Sequence, residues 1–100
     1  MRPERKKFEP LAAPPSAIEH GGYEVLRAVI VEGGLHVTLV RGFDDPAVWG
    51  LLLADIARHA SRVFASEDGR DESETITAIR SMFDAEMDNE TDPGTTAALS

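Results

Sequence analysis

The chain has 100 residues, 42% apolar and 28% charged, which fits one small globular domain and excludes a chain disordered throughout. It has no cysteine, so disulfides, thiolate catalysis and the common zinc-ribbon sites are excluded, and no apolar run approaches the roughly 20 residues that span a bilayer. Ten basic side chains against eighteen acidic ones leave a formal charge of −8, a balance that disfavours phosphate backbones as partners.

Residues 1–22 read as a Pro-rich flexible arm. Four prolines fall within its first fifteen residues, and proline cannot supply the backbone donors of helices and central strands. Arg2, Arg5, Lys6 and Lys7 outweigh Glu4 and Glu9, giving the arm a basic start. It is not a secretory signal, because Glu9, Pro10, Pro14 and Pro15 occupy the stretch where an apolar helical region is required. A cytoplasmic location is therefore expected. The basic start reads as a solvated tail rather than a nucleic-acid contact.

A single α+β domain is expected over residues 23–90. Tyr23–Glu32 and Leu35–Arg41 are β-branched stretches separated by Gly33-Gly34, which suits the two-residue turn of an antiparallel hairpin. With those glycines as the turn, cross-strand partners have numbers that sum to 67. One face then carries Leu26, Ala28, Ile30, Val37 and Leu39. The other carries Val25, Arg27, Val29, Val31, His36, Thr38 and Val40, and is half apolar.

A helix is expected over 45–66, with Asp44 or Asp45 as its cap and Pro46 in the first turn. Trp49, Leu52, Leu53, Ile56, Ala60, Val63 and Phe64 recur at three and four, forming one apolar stripe. A second helix is expected over 71–88, capped by Asp71 with Glu74. Ile76, Ile79, Met82, Phe83 and Met87 form its apolar side. Asp84, Glu86 and Asp88 put the wrong charge at its C-terminal end, so that end should fray unless Arg80, a partner or a cation offsets it. Residues 91–100 read as a flexible acidic and polar tail. The expected architecture is thus a small β-β-α-α unit, an antiparallel hairpin packed on two helices.

Along Gly33-Gly34-Leu35-His36-Val37, Asp45-Pro46-Ala47-Val48-Trp49-Gly50 and Leu53-Ala54-Asp55-Ile56-Ala57-Arg58-His59, and on through Ile79-Arg80 and Phe83-Asp84-Ala85-Glu86, the chain resembles a bacterial family of unknown function, DUF5076. The likeness spans residues 23–92. It implies a shared fold and carries over no activity, cofactor or catalytic residue.

Three constellations carry some chemical interest. Asp55, Arg58 and His59 lie on one side of a helix, where a carboxylate could orient an imidazole. As no third ligand or nucleophile stands at a recognisable spacing, the plainer reading is a surface salt link. His36, on the strand face that holds Arg27, could join an anion-binding patch, although a half-buried strand histidine with one hydrogen bond is the simpler view. Asp84, Glu86, Asp88, Glu90 and Asp92 alternate, but a calcium loop starting at Asp84 would have Asn89 and Thr95 where glycine and glutamate are needed. The two helices are not a helix-turn-helix, since the second opens on Asp71-Glu72-Ser73-Glu74. No cofactor or metal is expected.

A two-stranded hairpin with two apolar faces and two helices can hide one face. The other, with Val25, Val29, Val31 and Val40, is expected to meet a second copy, making a homodimer or higher even oligomer. The leading expectation is a non-catalytic interaction or accessory protein acting as a homo-oligomer. The competing ones are a ligand-binding module or small enzyme whose site (Arg27, His36, Asp55, Arg58, His59) forms between subunits, and an acidic C-terminal third that docks a basic protein.

Overall fold

The computed structural model describes residues 7–91 and 94–99. The element order is α1 (Pro15–His20), β1 (Leu26–Val31), β2 (Gly34–Val40), α2 (Ala47–Asp68), α3 (Glu72–Asp88) and β3 (Thr95–Leu99). The α+β class and the hairpin stand as expected, and two elements join them. α1 is a short helix inside the arm, started by Pro15 in its first turn and ended at Gly21, whose N–H bonds Ala17 O at 2.8 Å. β3 lies in the segment read as a tail.

The sheet order is β1-β2-β3, with β1 antiparallel and β3 parallel to β2. Leu26 faces Leu39 and Val31 faces Gly34, so the register differs by two residues from the expected one. The turn is Glu32-Gly33, at φ 50° and 83°, the paired positive φ of a type I′ turn. A slip of two preserves the alternation of faces. Leu26, Ala28, Ile30, Leu35, Val37 and Leu39 therefore still share one side, and Arg27, Val29, Val31, His36, Thr38 and Val40 the other. β3 reaches β2 through Gly94, at φ 61°, where a Cβ would run into the carbonyl oxygen of Leu35.

α3 follows its expected bounds closely, while α2 runs two residues later at each end than the expected 45–66. Asp45 Oδ1 accepts from Ala47 N (3.0 Å) before α2, and Gly69, at φ 71°, closes it with a bond to Ala65 O. Asp71 Oδ2 accepts from Glu74 N (3.0 Å) at the start of α3. The acidic end of α3 holds to Asp88 because the Glu86 carboxylate accepts from both Thr91 N (3.0 Å) and Thr91 Oγ1 (2.6 Å). Among the described residues Arg80 makes no ion pair with this end.

The packing departs most from expectation. Among the described residues the strands pack on strands and α2 packs on α3, while no helix packs on the sheet. The hairpin is thus not covered by the helices of its own chain. Among the described residues no apolar side chain is buried, and the one fully buried residue is Ser61, 1% exposed, on α2. Its hydroxyl donates to Arg58 O at 2.7 Å, which satisfies it within its own helix. The radius of gyration is 16.2 Å, against about 13 Å for a compact chain of this length. Among the described residues no helix is long and apolar enough to cross a membrane.

Candidate functional site

The side chains singled out in the sequence fall into two groups that a single chain keeps apart. Arg27 and His36 sit on the mixed face of the sheet. Arg27 lies across from Thr38, its guanidinium pairing with Glu24 at 2.9 Å and standing 5.3 Å over the Phe8 ring. His36 Nδ1 bonds the hydroxyl of Thr95, its register partner on β3. No sequence signal pointed to Thr95, because the pairing joins residues 59 positions apart.

Asp55, Arg58 and His59 lie along α2, exposed. The expected Asp55–His59 link does not form: His59 Nδ1 instead accepts from Arg62 Nη1 at 3.4 Å, and Asp55 has no hydrogen bond or ion pair among the described residues. Arg58 contributes its carbonyl to Ser61 and no charge pair. Since no helix packs on the sheet, one chain does not bring His36 to His59. Among the described residues no three His, Asp or Glu side chains gather as a metal site.

Of the proposed interface valines, Val25, Val29 and Val40 are half-buried and Val31 is exposed. The opposite face is barer at the hairpin tip, where Ile30 is 69% and Leu35 46% exposed although they face each other across the strands. The arm and β1 line one open groove, with Phe8, Leu11 and Pro14 on one side and Arg27, Val29 and Ile30 on the other, and Ile30 stays largely exposed within it. On the helices, Leu53, Ile56, Val63, Phe83 and Met87, all read as core from their spacing, are exposed.

Near this helix pair one acid is perturbed. The Thr91 hydroxyl, with help from the Thr91 N–H, holds the Glu86 carboxyl below its ordinary value of 4.5. The described geometry therefore offers a polar strip on the sheet, Arg27-Thr38 beside His36-Thr95, and two large apolar surfaces without cover.

No curated protein matches the chain. A solved structure does, described as that of "a putative pyruvate dehydrogenase from the photosynthetic bacterium Rhodopseudomonas palustrus CGA009". The two are 44% identical over 95% of this chain and 97% of the other, with a TM-score of 0.67. A family model, "Domain of unknown function (DUF5076)", matches residues 10–91, so the likeness begins inside the arm rather than at Tyr23. With that match over most of its length, the chain belongs to the DUF5076 family.

Proposed function

We propose that this protein is a cytoplasmic homo-oligomeric interaction module, acting as an accessory rather than as a catalyst. The observation that carries the reading is its surface. A single chain exposes 8882 Å², whereas a compact monomer of 10.9 kDa exposes about 5,600 Å². The excess of roughly 3,300 Å² per chain, to which the extended arm also contributes, is larger than the ~800 Å² that each partner gives to a standard interface. Large apolar side chains are exposed on both the sheet, as at Ile30 and Leu35, and the helices, as at Ile56, Val63 and Met87.

The activity named for the Rhodopseudomonas protein is, for this chain, a setting for an accessory role. Turnover would need acid, base and binding groups at one place, and His36 and His59 are engaged separately, by Thr95 on the sheet and by Arg62 on α2.

The test is sedimentation together with thermal unfolding. The expected result is a dimer or larger even oligomer at micromolar concentration, with an unfolding midpoint that rises as the protein is concentrated. A folded monomer at tens of micromolar, with a midpoint independent of concentration, would overturn the reading.

A further inference from the structure

We infer that two copies assemble by exchange: the helix pair of each chain covers the apolar sheet face of the other. This rests on the homo-oligomeric reading above and specifies its geometry. Each chain presents both halves of one missing core. The sheet half is the face built from Leu26, Ala28, Ile30, Leu35, Val37 and Leu39, all apolar, to which β3 adds Thr96 and Ala98. The helical half is the exposed stripe of Leu53, Ile56 and Val63 on α2 with Phe83 and Met87 on α3. A helix layer on a sheet face is the ordinary way to bury such a pair, yet within one chain the two never touch.

The connections explain why a chain does not close on itself. Between β2 and α2, Trp49 Nε1 donates to Arg41 O (2.9 Å) and the Trp49 ring meets Phe43 edge-on, 6.1 Å between centroids. Arg41 pairs with Asp44 at 3.4 Å, and Asp45 takes the Ala47 N–H. At the other end, Thr91 is tied to Glu86 through two hydrogen bonds. The contacts between β2 and α2 hold the start of the helix pair away from its own sheet. A short connection held in this way favours exchange between copies. Twofold symmetry then makes the same contact twice.

The chain has no cysteine, so single cysteines report on contacts without background. Two full-length variants, Ile30→Cys and Ile56→Cys, are mixed, unfolded and refolded together, and then oxidised at low micromolar concentration. The expected result is a disulfide-linked mixed dimer as the main product, at least tenfold above the yield from Ile30→Cys with Arg58→Cys. Arg58 lies roughly 200° round α2 from Ile56, so it points away from the stripe. Leu35→Cys repeats the test if Ile30→Cys does not fold. The Ile30→Cys/Ile56→Cys double variant must also link between chains. A disulfide within one chain would overturn the exchange. So would dominant linkage of Ile30→Cys to itself in a sedimenting dimer, which would show sheets stacked on sheets and leave the oligomeric reading standing. A monomer by sedimentation removes both.

Discussion

At the tip of the hairpin, Glu32 holds a φ of 50°, the left-handed region that costs a residue with a Cβ about 1–2 kcal/mol. Asparagine tolerates that conformation better, and Asn-Gly is the favoured pair for a type I′ turn. Glu32→Asn should therefore stabilise the fold by roughly 0.5–1 kcal/mol, a rise of a few degrees in melting temperature by calorimetry. The other residue under clear local control is Glu86. Its carboxyl is held below 4.5 by Thr91, so its contribution is fully present above that value and is lost as pH falls through the lower, folded value. Acidification should shift the Thr91 amide resonance with a midpoint below 4.5, and Glu86→Gln should abolish that titration. A midpoint at or above 4.5 would contradict the contact.

At the level of elements, the sheet depends on one close approach. Gly94 combines φ 61° with a position where any Cβ meets the Leu35 carbonyl. Gly94→Ala should thus displace β3 and free His36 from Thr95, seen as loss of protection in the amides of Thr96 and Ala97 by hydrogen exchange while β1 and β2 keep theirs.

The same elements show what the sequence makes legible. The hairpin, both long helices and the Asp71 cap follow from local pattern and were readable. The turn was misplaced because Gly33-Gly34 and Glu32-Gly33 satisfy the same spacing, and only the pairing itself chooses between them. β3 was missed because Thr-Thr-Ala-Ala-Leu is short and weakly β-branched, and its order comes from a partner 59 positions away. The candidate polar residues were found on their correct elements. Which of them meet was not legible, since Asp55–His59 proximity on a helix says nothing of the competing Arg62. The helical stripes were recognised as apolar, but sequence spacing cannot say whether the chain that owns a stripe is the one that covers it.

For the molecule as a whole, burial decides the outcome. Domains of this size rarely draw more than ~3–5 kcal/mol from their own core, and here no apolar side chain among the described residues is buried within one chain. The isolated protomer lacks the main term that offsets chain entropy, so association and folding should be one equilibrium. This is why the predicted unfolding midpoint depends on concentration rather than on sequence alone.

The parallel join of β2 to β3 carries a temporal consequence. Closing a loop of 59 residues costs about 3–4 kcal/mol of chain entropy, while the hairpin and the helix pair need only near neighbours. Those two units should order early and the outer edge of β2 should fill last, as long-range strand pairing generally does. During that delay a terminal strand from another molecule competes for the vacant edge, so crowded refolding should trap tangled species that dilution avoids.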